Sequence, residues 1–502
     1  MIKILFFILT TIYTYATFSG HVVDINSGKA IKGAMVSDAK HMVKTDENGT
    51  FHIDTKAEHL QIKAYGYLPI RVSNFEQFSG TSYKLKPFKL KAFYVNFYAA
   101  NAKSKSFKNI LKKIKSTQMN AVIIDIKDVK GNISYDTKLS EPKKIGATKI
   151  TTISNLPKFI KDLKEMGIYT IARIAVFKDT RQAKKFPSRA VKDANGRVWI
   201  DTHDTAWVDP HSNRAQNYTL NIAVEVAKAG FDEVNFDYIR FPAKEGLRFA
   251  KADTQANRIS AIENFLYRAK KRLMAYPLFI SVDIFGYVAW NKTDTHIGQT
   301  VASLAKHTDY ISPMLYPSGF HKWTLGYSDP TAYPYQIVKA SILKAHSDIE
   351  PNRIRPWLQS FRDYAFSRKD YKEYEIAQQI KASDDCNTTG WLLWNPSSRY
   401  PYVNKHMFDL VKHSAIKRVK TSDQRGRISK KKSSKKTKSK KLSKKSIEKS
   451  SSKKVPKRAI DKKESRHKKE SKESVNKSIE IIKPKPKLFN LDRLLESDGS
   501  DY

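Results

Sequence analysis

Apolar and polar residues follow two different rhythms along the chain. From residue 18 to about 90 the apolar runs are short and alternate with polar positions, at 20–24, 34–37, 49–53 and 60–64. Turn signals such as Asn26-Ser-Gly28 and Asp46-Glu-Asn-Gly49 separate them. That pattern predicts a small all-β module. From about 91 to 414 short buried strands alternate with helical stretches, the mark of βα units and a parallel sheet. Strands are predicted at 93–98, 121–126, 169–176, 233–237, 278–284, 310–315, 354–359 and 390–394, with amphipathic helices between them at, for example, 107–114 and 156–163. Eight such units in roughly 320 residues fit a (β/α)8 barrel. An open doubly wound sheet is the alternative, and the lack of a Gly-rich phosphate turn after the first strand counts against it.

Two neighbouring strands carry the least expected residues. In Phe231-Asp-Glu-Val-Asn-Phe-Asp-Tyr-Ile-Arg-Phe-Pro242, Val234 and Phe236 share one face while Asn235 and Asp237 share the other. In Phe279-Ile-Ser-Val-Asp-Ile-Phe-Gly286, Ser281 and Asp283 share the polar face. An ionised carboxylate is costly to bury unless it is paired or used. Inward residues near strand C-termini form the floor of a barrel's active site. Parity then collects Asn96 and Tyr98, Asp125 and Lys127, Arg173, Asn235 and Asp237, and Ser281 and Asp283 from the first five strands. The last three add Ser312, Met314 and Tyr316, Trp357 and Gln359, and Trp394 or Asn395. A purely structural interior would favour Val, Ile and Leu. Carboxylates mixed with aromatic platforms suit a sugar, whose C–H face packs on rings and whose hydroxyls take polar partners.

Glycoside hydrolysis uses two carboxyl groups flanking the scissile bond. Asp237 is assigned as nucleophile, kept ionised by Arg173 and Asn235, and Asp283 as the acid, with Phe285 and Tyr287 beside it to raise its pKa. Alternatively Asp283 is structural, and Asp125 or Asp128 supplies the acid. Arg240 is either a substrate clamp or a salt bridge fixing the Asp237 loop. Trp199 and Trp207 lie in a long loop after the third strand, where function often resides, although Trp207 can equally plug its underside. His203, Asp209 and His211 match no metal-ligand spacing, so neither a metal nor a cofactor is expected.

Composition alters the picture at the two ends. The 502 residues carry a formal charge of +43, and roughly half of it falls after residue 415, in a Lys/Ser-rich tail with almost no aromatics. Such a segment, 415–502, is expected to be disordered. The run 488–495 within it has the spacing of a short docking helix, with a frayed end as the alternative. The tail is expected to attract an anionic envelope polymer or membrane surface, with mere solubilisation as the alternative; no specific nucleic-acid site is expected. Residues 1–16 have an early Lys, a short apolar run and a small-residue end, a secretory leader with cleavage expected after Ala16 and a periplasmic or secreted destination. The single cysteine, Cys386, excludes an intramolecular disulfide and a thiol-rich metal site.

Two resemblances follow from these segments. SGHVVDINSGKAIKGAMVS, TDENGTFHI and IKAYGYLPI resemble, in that order, a carboxypeptidase regulatory-like β-sandwich over 18–90, a module that implies no chemistry of its own. VIIDIKDVKGNISYD, GIYTIARIAVFKD, AWVDP, GFDEVNFDYIRFP, SVDIFGY, DYISPMLYPS, RPWLQSF and GWLLWNP together resemble a bacterial family of glycosyl hydrolase domains, long labelled as of unknown function and related to α-amylase-type barrels. That resemblance covers about 91–400. It implies a TIM barrel acting on a polysaccharide, with the nucleophile on strand four at Asp237. The strand-five acid of amylase-type barrels is usually Glu; here Asp283 stands there, and Gln359 replaces the strand-seven Asp. A non-catalytic carbohydrate-binding or envelope-scaffold protein is the competing expectation.

Overall fold

A computed structural model describes residues 16–73 and 80–413. The expected leader, apart from Ala16, and the Lys/Ser tail with its 488–495 run lie outside the described residues. Seven strands, β1 (Ala16–Asp24), β2 (Met35–Ser37), β3 (Met42–Lys44), β4 (Thr50–Thr55), β5 (His59–Lys63), β6 (Ile70–Ser73) and β7 (Ser82–Leu85), form the small module. They make a three-stranded sheet, β4-β1-β7, and a four-stranded one, β3-β2-β5-β6. The alternation read from the sequence fills the space between them: Phe18, Val22, Val36, Phe51, Ile53, Leu60 and Ile62 are all buried in one core.

Eight parallel strands follow: β8 (Leu90–Val95), β9 (Ala121–Lys127), β10 (Tyr169–Ala175), β11 (Glu233–Asp237), β12 (Phe279–Phe285), β13 (Tyr310–Met314), β14 (Trp357–Gln359) and β15 (Gly390–Trp394). They pair in chain order and close into a barrel where β15 meets β8, with Gly390 beside Leu90. The closure needs a glycine there. Its φ is +119°, and a methyl group would run into the Leu90 backbone.

Residues of opposite parity serve opposite layers. Val122, Ile124, Ala172, Ile174, Val234, Phe236, Ile280 and Val282 pack outward against the helices. Inside, the N-terminal layer is made by Leu90, Ala121, Tyr169, Phe279 and Tyr310. It holds a buried ion pair, Arg355 to Glu233 at 2.7 Å, whose guanidinium lies 3.4 Å from the Tyr310 ring centroid.

The small module closes this end of the barrel. Tyr65, Leu68 and Phe88 pack on the N-terminal layer, Phe88 stacks on Tyr169 at 4.9 Å, and the Gly66 amide donates to the Tyr310 hydroxyl at 3.1 Å. Lys63 Nζ donates to Asp309 at 2.7 Å and to the Leu278 carbonyl at 3.2 Å. Asp309 also accepts from the Ile280 amide, so it keeps one partner if Lys63 is lost. Lys63→Met is expected to cost about 2 kcal/mol, the range for a hydrogen bond to a charged group. Chemical denaturation of the full-length protein measures it, and an unchanged midpoint would mean that the contact contributes nothing.

Candidate active site

The open, C-terminal end of the barrel is organised by one guanidinium. In-register pairing sets Arg173 on β10 beside Asp125 on β9 and Asn235 on β11. Its Nη1 donates to Asp125 Oδ1 at 2.5 Å. Its Nε donates to Asp237 Oδ2 at 3.0 Å, and Nη2 bonds the same oxygen. Nε lies 4.0 Å from Asp283 Oδ2. The two carboxyl oxygens therefore share a neighbour and cannot be farther apart than those two distances combined. Burial works against the charge on Arg173, yet Asp125, Asp237, Tyr94 and Asp283 hold its pKa well above the ordinary value.

Asp283 is 2 % exposed. Its Oδ1 accepts from Asn235 Nδ2 at 2.8 Å and from Trp357 Nε1 at 2.7 Å. Burial first, and then repulsion from Asp237, push its pKa well above the carboxylate range; Arg173 and the two hydrogen bonds offset only part of this. Asp237 has a different setting. Besides its bonds to Arg173, its Oδ1 accepts from the Tyr238 amide at 2.6 Å. Tyr238 has a φ of +49°, a left-handed conformation that costs a bulky residue energy.

Rings wall this floor. Trp394 stacks on Tyr94 with centroids 3.9 Å apart, and Trp357 meets both edge-on. The guanidinium carbon of Arg173 lies 5.1 Å from the Trp394 ring and 5.5 Å from that of Tyr94. Above lies a cleft lined by Arg173, Asp237, Tyr238, Arg240, Asp283, Phe285, Gly286, Tyr287, Met314, Tyr316, Gly319, Phe320, Trp357, Tyr364 and Trp394. Burial, then Asp283 and Asp237, raise the Tyr316 pKa well above the ordinary value, so it enters the cleft as a neutral donor.

Arg173, Asp237, Arg240, Asp283, Met314, Tyr316, Trp357 and Trp394, all singled out from the sequence, meet in this cleft, with Phe285 and Tyr287 beside Asp283 as expected. Asp125 and Asn235 lie just outside its lining and hold it in place. Asp125 bonds Arg173 and the Tyr94 hydroxyl, the latter at 2.6 Å. Its raised pKa comes from burial, opposed by Arg173 and Tyr94. Asn235 does not serve Asp237 as expected. Its amide goes to Asp283 and, at 3.1 Å, to Ser281, because the inward face of β11 points across to β12. Asp128, the other candidate acid, bonds Asn132 in a turn after β9 instead of facing the cleft.

The remaining expectations are corrected by local structure. β8 stops at Val95, and Asn96 folds the chain into a turn, accepting from the Ala99 amide and donating to the Pro396 carbonyl, both at 2.8 Å. Tyr98 is thereby turned out to solvent, 68 % exposed. Lys127 is fully buried against Asp179 at 2.9 Å and the Ala175 carbonyl at 2.6 Å, an internal strut beside the strand end. Gln359 ties Ser318 and Gln379 together, and Asn395 caps the 395–399 turn and donates to the Ser360 carbonyl. Trp207 is buried under an adjoining cavity, its Nε1 3.3 Å from Asp201.

Sequence reasoning passed over Tyr94, Phe320 and Tyr364. The parity that selected Asn96 also selects Tyr94, two residues earlier. The other two lie on loops, where no periodicity points.

Residues 92–400 match the family described as "Putative glycosyl hydrolase domain". Solved structures similar to the chain include a hypothetical protein from Ruminiclostridium thermocellum ATCC 27405, 30% identical, with a TM-score of 0.34 over 38% of this chain and 96% of that one. The PgaB (BpsB) glycoside hydrolase domain from Bordetella bronchiseptica is 13% identical, with a TM-score of 0.48 over 66% of this chain and 100% of that one. A chitinase from Chromobacterium violaceum ATCC 12472 is 13% identical, with a TM-score of 0.40 over 64% of this chain and 98% of that one. No curated protein matches the chain. The family match takes in nearly all of the barrel and more than half of the sequence, and on it the chain belongs to this glycosyl hydrolase domain family.

Proposed function

We propose that the protein is an exported glycoside hydrolase that cleaves a cell-envelope or extracellular polysaccharide through Asp237 and Asp283. The observation that carries this reading is one guanidinium set between two carboxyls whose surroundings differ. Asp283 keeps its proton through burial beside Asp237, while Asp237 is held by Arg173 and a backbone amide. A buried carboxyl that holds its proton beside a second, hydrogen-bonded one is the arrangement that divides acid from nucleophile.

In this mechanism Asp283 gives its proton to the glycosidic oxygen as the C1–O bond breaks, and Asp237 takes up the positive charge growing at the anomeric carbon. Water then supplies the hydroxyl and Asp283 recovers a proton. Trp394, Trp357 and Tyr316 supply the platform and a hydroxyl donor. The Lys/Ser tail would hold the enzyme near anionic envelope polymer or a membrane surface in a salt-sensitive way.

The test is release of new reducing ends from a panel of envelope polysaccharides by the full-length protein. The pH profile adds a second check. A raised pKa keeps the acid form populated to higher pH, so kcat is expected to fall about tenfold per pH unit above that pKa. Asp283→Asn should abolish this basic limb together with most of the rate. A limb that persists in the variant would assign the acid elsewhere.

A second reading, a barrel that binds glycan without cleaving it, is favoured by one feature: each oxygen of Asp237 already accepts a hydrogen bond. Saturable binding with no reducing ends released by the unaltered protein would establish it.

A further inference from the structure

Inward side chains from alternate strands meet in one ring: Tyr94 from β8, Arg173 from β10, Asp283 from β12 and Trp357 from β14. Contributions from every second strand are how a barrel interior fills a layer. The guanidinium carbon of Arg173 lies 5.5 Å from the Tyr94 centroid, and its Nε lies 4.0 Å from Asp283 Oδ2. Trp357 Nε1 donates to Asp283 Oδ1 at 2.7 Å, and its ring meets Tyr94 edge-on at 6.2 Å, which closes the ring. Trp357 is 1 % exposed, and the Leu315 amide donates to its carbonyl at 3.1 Å. In so close-packed a place the indole has little room to turn its N–H elsewhere.

The two oxygens of Asp283 are served unequally. Oδ1 accepts from Trp357 Nε1 and, at 2.8 Å, from Asn235 Nδ2. An indole nitrogen can only donate, and two donors occupy both lone pairs that the oxygen presents. Among the described residues no hydrogen bond reaches Oδ2, which has Arg173 Nε at 4.0 Å. A proton on Oδ1 would have to displace one of the two donors, whereas Oδ2 takes it without that loss. The polar groups that face this carboxyl are Arg173 from β10, Asp237 and Asn235 from β11, Trp357 from β14 and Tyr316 just after β13.

We infer that Trp357 is a positioning residue for the acid: its indole N–H and the Asn235 amide together reserve Oδ2 of Asp283 for the transferable proton. The inference rests on the reading of Asp283 as the acid. As the proton passes from Oδ2 to the glycosidic oxygen, the O–H bond breaks and its electron pair stays on the carboxylate. The two N–H donors then steady that charge at Oδ1, as charge-assisted hydrogen bonds do. Arg173 Nε also bonds Asp237 Oδ2 at 3.0 Å. The proton therefore sits on the oxygen that shares this guanidinium with the second carboxyl.

The test is an NMR titration of full-length protein isotope-labelled at aspartate Cγ, with the Asp283 signal assigned by its loss in Asp283→Asn. Removing a donor to the ionised form raises a carboxyl pKa. Trp357→Phe is therefore expected to move the Asp283 midpoint up by about one pH unit. Trp394→Phe alters the neighbouring ring without touching a hydrogen bond of Asp283, and should leave the midpoint in place. An unmoved or lowered midpoint in folded Trp357→Phe overturns the inference, as does an equal rise in Trp394→Phe. The unaltered protein supplies a check that needs no Trp357 variant. Of its seven tryptophans, one isotope-labelled indole resonance should follow the Asp283 midpoint, and should cease to do so in Asp283→Asn. Indole signals all indifferent to that titration, or an Asp283 with no midpoint below about pH 9, would overturn it too. Neither measurement uses a substrate. Absence of reducing-end release alongside the expected shifts would count against the proposed hydrolysis and leave the assignment of Trp357 standing.

Discussion

Asp237→Asn is expected to reduce hydrolysis on the order of 10³-fold or more while glycan binding persists. The magnitude follows from what a positioned catalytic carboxylate contributes, typically 10²–10⁴-fold. Asparagine has the same shape, and its single oxygen can keep either the bonds from Arg173 or the one from the Tyr238 amide, though not both. What is lost is the negative charge facing the anomeric carbon. Reducing-end assays paired with a binding isotherm separate the two effects. A variant that retains a tenth of the rate would move the nucleophile elsewhere, and one that no longer binds would show that the charge matters for recognition.

Arg173→Met should be the most damaging single change to the fold. Arg173 bonds Asp125 and Asp237 and lies 4.0 Å from Asp283. Its removal leaves buried negative charge without the central cation, and breaking such a buried arrangement costs about 3–5 kcal/mol. At about 2–4 °C per kcal/mol for a large domain, Tm should drop by roughly 10 °C. The pH dependence has a defined sign. Asp125 and Asp283 already have folded-state pKa values above their ordinary ones. Their contribution to stability is therefore fully present below about pH 3.9, the unfolded Asp value, and is lost as pH rises through the folded values. Without Arg173 those values rise further, so the variant's deficit should be largest near neutral pH and shrink on acidification. A deficit that grows in acid would mean that the carboxylates are not its source. Arg173→Lys is expected to rescue only partly, because a single ammonium cannot donate in two directions from one plane.

The barrel was legible because each strand states its inward and outward faces separately. Val234 and Phe236 against Asn235 and Asp237 is a two-residue code, and the outward hydrophobes went to the helices as written. Charged residues stood out within that code because an interior seldom tolerates them without partners, and the partners proved to be one another. Strand ends were less legible. Nothing in the alternation marks where β8 gives way to the turn built by Asn96, and Tyr98 was misplaced for that reason. Lys127 followed the right parity but was captured by Asp179, which lies on the loop after β10, outside any period. The same blindness to loops hid Phe320 and Tyr364. The Asn235 partner was also misjudged, since sequence gives the face of a strand but not the direction in which its amide leans.

The way Phe88, Tyr65 and Lys63 sit beneath the strands has a practical outcome for anyone dissecting this chain. Cutting at residue 89 to isolate a minimal catalytic piece would lay bare a greasy underside and strip Asp309 of its cation. The fragment should come out of expression sticky or misfolded. The front piece is a fixture of this barrel.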